Sequence, residues 1–458
     1  MAEIIFPTEQ RIITKHLDKK DTHLLSIYES LDGYAASKKA LSELNSDQVI
    51  DEVKKSNLRG RGGAGFPTGM KWSFMPKDPR DAKGNVKPKY LVCNADEGEP
   101  GTFKDSLIMN RFPHMLIEGM IIAAHAIGSE VGYIYVRGEY VKEIIAVQTA
   151  IDEARAKGYL GKNIFGIQGK HFDLFLYRGA GAYICGEETA LLSSLEGKRG
   201  EPRLKPPFPA QVGAYGMPSC VNNVETFAAV PFIIREGFAK FAAIGTEKSG
   251  GTRLFCVSGH VERPGVYELP LNVNLLDLIE HCGGVRGGKK LKAVIPGGAS
   301  APMLTAAECN VAMDFDSLAK AGTMAGSGGV IVMDETTCIV EAASILLKFY
   351  EHESCGQCSQ CREGSHWLAR MFHRIENGQG RQEDLDFISE ICGNMAGQTI
   401  CAFADAVTGP ALSSIKKFRH EFEDHIRLGK CPKKSHQKIN EQNHHHVVKN
   451  SQSKVAQI

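Results

Sequence analysis

Apolar positions change their spacing three times along the chain. Over the first 58 residues the sequence is polar, with Leu24, Leu25, Ile27 and Leu31 near helical spacing, and Ser46 to Asn57 reads as a further helix. Arg59-Gly60-Arg61-Gly62-Gly63-Ala64-Gly65-Phe66-Pro67-Thr68-Gly69 follows, too rich in glycine for a helix or strand interior. From Tyr90 to about Phe241, short apolar runs (Tyr90–Cys93, Gly132–Val136, Phe172–Leu176) alternate with helical stretches such as Glu143 to Lys157. That alternation predicts an α/β layer on a largely parallel sheet. Near Gly250 the texture changes: Thr252–Gly259 and Gly265–Leu269 read as a hairpin, Leu275 to Cys282 as a short helix, and Gly329–Met333 as a closing strand. This is the size and order of a small β-grasp-like α+β module. From Cys338 to about Gly429 the pattern is helical and predicts a small bundle. The last 28 residues, from Cys431, are rich in Lys, Gln, Asn, Ser and His and read as a disordered polar tail. The expected division is therefore 1–245, 246–336, 337–430 and 431–458.

Composition narrows the function classes. A length of 458 residues suits about three domains at ~150 residues each. With 43% hydrophobic and 23% charged residues, disorder is excluded for the bulk of the chain. The 54 basic and 53 acidic side chains leave a charge of +1, so there is no broad electrostatic reason to bind nucleic acid or an anionic membrane. No apolar run reaches the roughly 18 residues of a membrane span. The best candidate, Met115 to Ile127, is interrupted by Glu118 and His125. The start lacks the basic and apolar regions of a signal peptide, so any membrane association is expected to come through partner subunits.

Gly60-Arg61-Gly62-Gly63-Ala64-Gly65 satisfies G-x-G-x-x-G, but a helix precedes it and no acid ends a strand at the right distance beyond it. An ordinary dinucleotide fingerprint is thus rejected. Five glycines in ten residues, flanked by Arg59, Arg61 and Lys71, instead suit close backbone approach to a flat or anionic ligand. Cys93-Asn94-Ala95-Asp96-Glu97-Gly98-Glu99 places an amide and three carboxylates directly after an apolar strand, where open α/β sheets bind ligands. Gly179 to Thr189, with Tyr183, Gly186, Glu187 and Glu188, repeats the arrangement, although the two acids also suit helix capping. Asn222-Asn223-Val224-Glu225-Thr226 offers amides beside a hydroxyl.

The cysteines carry the strongest signal. There are 13, and Cys355, Cys358 and Cys361 fall within seven residues. Cys-x2-Cys-x2-Cys with a distant fourth thiol suits a tetranuclear iron–sulfur cluster better than zinc, which more often uses separated pairs. Spacing leaves Cys392 and Cys401 both open as the fourth ligand; Cys431, beside the tail, is a poor candidate. Cys93, Cys185, Cys220, Cys256, Cys282, Cys309 and Cys338 lie in apolar segments and read as small buried hydrophobes. His444-His445-His446 reads as part of a solvated tail.

Together the glycine loop, Cys93–Glu97, Tyr183–Leu191 and the Cys355 cluster resemble one family over residues 30 to 425. It is the family of the NADH-oxidising, FMN-bearing subunit of respiratory complex I, the F subunit of NADH-quinone oxidoreductase. The resemblance implies an N-terminal Rossmann-like FMN/NADH domain, a ubiquitin-like (β-grasp, soluble-ligand-binding-type) middle domain and a C-terminal helical bundle holding a [4Fe–4S] cluster. It implies FMN over the glycine loop, Gly60 to Gly65, with Lys71, Asn94, Asp96, Glu97, Tyr183, Gly186, Glu187, Asn222, Asn223 and Thr226 around it. NADH would be the substrate, its adenine among Phe66, Phe74 and Phe208 with Lys205 nearby. Glu99 would face the nicotinamide and Glu188 the adenosine ribose. No side chain is expected to act as a proton-transfer catalyst. The segment Thr399 to Ala406 picks Cys401 as the fourth ligand beside Cys355, Cys358 and Cys361. Implied partners are a small [2Fe–2S] subunit and a larger multi-cluster subunit of the peripheral arm, at the cytoplasmic face of the inner membrane.

Two other readings stay open: the diaphorase subunit of an NAD-linked hydrogenase or formate dehydrogenase, and a non-catalytic, zinc-stabilised nucleotide-binding module. The last predicts a colourless protein.

Overall fold

The computed structural model describes residues 10–433. Three helices open it: α1 (Leu25–Ser30), α2 (Ala35–Glu43) and α3 (Ser46–Lys55). The last is fixed at its start by a reciprocal capping box between Asn45 and Gln48. After the glycine loop and α4 (Thr68–Ser73) come β1 (Tyr90–Ala95), α5 (Lys104–Arg111), α6 (Pro113–Ile127), β2 (Val131–Val136), α7 (Val141–Ala156), β3 (Asp173–Arg178), α8 (Glu188–Leu195), β4 (Ser219–Asn223), α9 (Val224–Glu236) and α10 (Phe238–Ala242). The four strands form a parallel sheet in the order β3-β2-β1-β4.

Strand alternation divides the two sheet faces. Leu91 and Cys93 of β1 join Ile134, Leu174 and Cys220 in a core shared with α6 and α9. Val92, Tyr135 and Val221 point the other way, into a core continuous with α8 and the C-terminal helices. The apolar stretch Met115–Ile127 lies within α6, which begins on Pro113 and ends on Gly128 in the left-handed region (φ 68°). It is a central buried helix, in which each fully buried Leu, Ile or Met contributes about 1.5–3 kcal/mol. Its interrupting Glu118 is buried with Tyr28 Oη and Ser37 N–H as donors to its two oxygens. No helix among the described residues is long and apolar enough to cross a membrane.

A two-stranded ribbon, β5 (Gly245–Thr246) and β6 (Ser249–Gly250), leads into the middle region. There β7 (Thr252–Gly259), β8 (Gly265–Pro270), α11 (Leu275–His281), β9 (Leu291–Ile295), β10 (Leu304–Thr305), α12 (Phe315–Lys320) and β11 (Gly329–Asp334) form a mixed sheet in the order β10-β9-β11-β7-β8. The hairpin β7–β8 is antiparallel, and β11 pairs parallel to β7, so the chain crosses over between them. Four helices follow: α13 (Ile339–Glu353), α14 (Ser359–Glu376), α15 (Asp384–Met395) and α16 (Phe403–Leu428). Cys431 differs from its expected place in the tail. It is buried against the bundle, while the rest of the polar tail, from residue 434, and its histidine triplet lie outside the described residues.

Candidate functional site

In the order β3-β2-β1-β4 the chain reverses direction across the sheet between β1 and β4, and the crevice at their carboxyl ends is where such sheets take ligands. A cavity of about 550 Å³ opens there, bounded by Gly62, Gly63 and Ala64 of the glycine loop, Asn94 and Asp96 after β1, and Asn223 after β4. Asn223 also caps α9, accepting the Glu225 N–H at 3.0 Å, so the strand end is held by the helix that follows it.

The loop is anchored from below. The Arg61 N–H donates to Thr226 Oγ1 at 2.9 Å, and the Arg61 guanidinium, fully buried, donates to the carbonyls of Gly250 and Thr252 at 2.9 Å each. Burial lowers that guanidinium's pKa to about 10, so it remains charged at neutral pH. A Cβ on Gly62 would meet Asn223 Cβ at 3.1 Å, whereas one on Gly63 would meet nothing within 4 Å. The backbone thus presses against the β4 end at one glycine and faces open space at the next. That is a shape suited to a ligand lying on the loop.

The acidic strand end divides its labour. Asp96 Oδ2 is buried with no hydrogen-bond partner, an acceptor without a donor on a residue of the cavity wall. Burial raises the Asp96 carboxyl to about 7, with Arg137 working against it. Glu97 spends its oxygens differently: they accept the Asp105 and Ser106 N–H groups that open α5, and the Tyr140 hydroxyl at 3.0 Å. Glu99 bridges outward, accepting the Tyr183 hydroxyl at 2.5 Å on one oxygen and the Ser300 N–H (2.7 Å) and hydroxyl (2.6 Å) on the other. Lys104, absent from the motifs read in the sequence, is buried beside the cavity. Its ammonium reaches Asp105 at 2.7 Å, Glu225 at 3.0 Å and Asn223 at 3.1 Å. Burial opposes that charge, but Asp105, Glu225 and Glu97 outweigh it and raise the lysine above its ordinary value.

A pH dependence follows from Asp96. Between its unfolded value near 3.8 and its folded value near 7, the folded chain holds a proton that the unfolded chain has released. Stability is therefore full below the unfolded value and falls as pH rises through about 7. Glu97, raised to about 7 by burial and then by Asp105, acts in the same window. Asp96→Asn is expected to make the cofactor-free chain more stable at pH 8, by at most about 4 kcal/mol. Urea unfolding at pH 5 and pH 8 measures it; an unaltered pH slope would contradict it.

Not all residues expected at the site line the cavity. Gly60, Gly65, Phe66, Lys71, Phe74, Glu188, Lys205, Phe208, Asn222 and Thr226 lie outside its wall. Glu187 caps α8, accepting the Thr189 and Ala190 N–H groups at 2.8 and 2.9 Å, and so combines the capping role with a place on the wall. Glu188 sits between two cations, Lys71 and Lys205, each at 3.0 Å. Asn222 accepts the Trp72 indole N–H at 2.9 Å. Phe66, Phe74 and Phe208 stay 44%, 58% and 54% exposed, the first two with ring centres 6.1 Å apart.

Cys355 and Cys358 precede α14 and Cys361 lies in its first turn; together with Cys401, just before α16, they line one small cavity with Ile400 and Phe403. Gly356, between the first two, takes a φ of 80° that turns the chain. Burial raises the Cys401 thiol to about 11, with Cys355 and Cys361 among the nearby groups that add to the rise. Cys392 is fully buried within α15 and lies outside this cavity. The cysteine cavity and the strand-end cavity share two residues, Cys401 and Phe403.

A glycine-lined strand-end cavity with an orphaned acceptor, one wall away from four converging thiols, defines a protein that carries a polar, flat cofactor beside an iron–sulfur cluster. Family models agree: Nuo51 FMN-binding domain matches residues 53–232, the SLBB domain residues 253–332, and the NADH-ubiquinone oxidoreductase-F iron-sulfur binding region residues 341–425. An F subunit of NADH-quinone oxidoreductase from Rhizobium meliloti, the one numbered 2, is 53% identical over 422 residues, covering 92% of this chain and 99% of that one. The F subunit of the Mycobacterium bovis enzyme is 49% identical, covering 92% and 94%. A crystal structure of an NAD+-reducing [NiFe]-hydrogenase in the air-oxidized state superposes with a TM-score of 0.77 at 35% identity, covering 90% of this chain and 66% of that one. The chain belongs to the family of NADH-quinone oxidoreductase F subunits. Its cofactors are FMN and a [4Fe–4S] cluster.

Proposed function

We propose that this chain oxidises NADH at the strand-end cavity as the electron-input subunit of an NADH-quinone oxidoreductase, with Cys355, Cys358, Cys361 and Cys401 as the cluster ligands. The observation that carries this reading is the wall common to both cavities, made of Cys401 and Phe403. FMN, when bound, supplies the exchange between a nicotinamide's two-electron hydride and the single electrons a cluster accepts. The residues do the positioning. Gly60 to Gly65 offer backbone to the flavin, Asn94 and Asp96 meet its polar groups, and Thr226 and Asn222 hold the elements beneath. Tyr183, Gly186 and Glu187 close the far side, and Glu99 fixes Tyr183 against Ser300 on the nicotinamide side. Glu97 contributes by ordering the start of α5. Phe66, Phe74 and Phe208, all exposed, would stack an adenine.

Partners under this reading are a small [2Fe–2S] subunit and a larger multi-cluster subunit of the peripheral arm. They would hold the chain at the cytoplasmic face of the inner membrane. The fuller length match to the NADH-quinone oxidoreductase relatives favours this assembly over a hydrogenase or formate dehydrogenase diaphorase. Purified protein is expected to be yellow-brown and to reduce ferricyanide with NADH; a colourless, inactive protein would favour the zinc-stabilised module.

Cofactor selectivity provides a second test. Glu188 lies between Lys71 and Lys205. Glu188→Gln removes the carboxylate that Lys71 and Lys205 share, leaving Lys205 with Glu187 alone, a setting that welcomes a 2′-phosphate. The NADPH-to-NADH ratio of kcat/KM should rise about tenfold, or ~1.4 kcal/mol. An unchanged ratio would remove Glu188 from the ribose side.

A further inference from the structure

At the opposite end of the helical region, the start of α13, the end of α14 and the end of α16 converge on a second set of metal-ligating side chains. One ligand atom each from Cys338, Glu376, His425 and Cys431 lies within 4.8 Å of all the others. Cys338 Sγ is 3.4 Å from His425 Nε2 and 3.7 Å from Glu376 Oε2, and His425 Nε2 is 3.4 Å from that same carboxylate oxygen. A tetrahedral metal with bonds of about 2.0–2.3 Å has edges of about 3.3–3.8 Å between its ligands. These three separations already match it.

The surroundings favour a cation. All four residues are buried: Cys338 5%, Glu376 8%, His425 0% and Cys431 5% exposed. A carboxylate buried with two thiols and an imidazole calls for a positive centre, which either a protonated His425 or a bound metal ion supplies. The ring of His425 is oriented for one. Its Nδ1 lies 2.7 Å from the Glu421 carbonyl, which can only accept, so Nδ1 carries the proton and Nε2 is directed at Cys338 and Glu376. A backbone carbonyl fixing the far nitrogen is the usual support of a metal-bound histidine. Cys338 caps α13, its sulfur accepting the Glu341 N–H at 3.4 Å, a contact that opposes the burial raising this thiol's pKa. Lys292, which is also ion-paired with Glu421, and Lys433 both donate to the Thr337 carbonyl next to Cys338.

We propose that Cys338, Glu376, His425 and Cys431 bind one zinc ion in a closed structural site distinct from the iron–sulfur site. Two thiol protons leave as two zinc–sulfur bonds form. Mixed sulfur, nitrogen and carboxylate donors in a four-coordinate set match zinc, whereas calcium and magnesium take oxygen donors alone. The ion ties the segment after α16 to the first turn of α13 and the last turn of α14, clamping the bundle that presents the cluster cysteines. Cys338 is then a ligand rather than an inert core thiol, and Cys431, unsuited to the iron–sulfur cluster, has its own site.

The test is metal content and coordination of the full chain purified with flavin and cluster in place and incubated with Zn²⁺ before gel filtration. The expected result is about one zinc per chain beside about four irons. X-ray absorption at the zinc edge should show two sulfurs at about 2.3 Å and two nitrogen or oxygen ligands at about 2.0–2.2 Å. Absence of retained zinc overturns the proposal. So does zinc with four sulfurs, which would sit in the cluster thiols, or zinc with none, which would sit on surface or tail histidines. Cys431→Ser, outside every helix, should lose zinc and keep iron; stoichiometric zinc in that variant also overturns the proposal. Should the variant not fold, the absorption spectrum of the unaltered chain decides.

Discussion

Cys401→Ser is expected to strip the chain of its tetranuclear cluster while FMN stays bound. The substitution removes a sulfur from a cavity whose other thiols are Cys355, Cys358 and Cys361. A serine hydroxyl is far less acidic than a thiol and a poor ligand for iron in a cubane. Iron should fall from about four per chain to a fraction of that, and NADH should still reduce ferricyanide at the flavin. Electron delivery beyond the chain should drop to background. Cys392→Ser is the matched control. That thiol is wholly buried in α15 and away from the cavity, so the change perturbs packing and leaves iron in place. Iron analysis of both variants separates the candidates that spacing left open. A full cluster in the Cys401 variant would overturn the assignment.

Arg61→Ala should be the most destabilising single change in the glycine loop. Its guanidinium is buried and donates to two carbonyls, of Gly250 and Thr252, on the segment that joins the α/β region to the middle sheet. Removing it leaves both carbonyls dry and unpaired, at about 1–3 kcal/mol each, beside the space the side chain filled. The expected loss is about 3–5 kcal/mol, with FMN released because the loop loses its floor. Arg61→Lys should recover only part of this, since an ammonium lacks the fork that spans two acceptors. Urea unfolding followed through the flavin absorbance reads both effects. Stability within about 0.5 kcal/mol of the parent chain would contradict the anchoring role.

Local features were readable from the residues. The parallel sheet announced itself because its inner strand β1 is buried on both faces and appears as a short unbroken apolar run, Leu91-Val92-Cys93, whereas edge strand β3 leaves Phe175 46% exposed. The polar clusters were visible because they directly follow such runs. What stayed hidden depends on long-range closure. Glu99 binds Ser300 across 201 positions, so nothing in either segment signals that the middle region covers the site. Lys104 looks like any lysine opening a helix until Asp105, Glu225 and Asn223 surround it. Glu97 and Glu187 look like ligand-facing acids, yet both spend oxygens on the backbone N–H groups that open a helix. Cys338 and His425 are 87 positions apart and acquire meaning only when α13 and α16 meet.

The most direct test of the central claim, electron passage from the strand-end cavity to the four cysteines, is EPR of the isolated chain frozen after anaerobic mixing with NADH. The expected result is loss of the flavin's visible absorbance together with the signal of a reduced [4Fe–4S] cluster, the latter missing in Cys401→Ser. A bleached flavin beside a cluster that stays oxidised would contradict it.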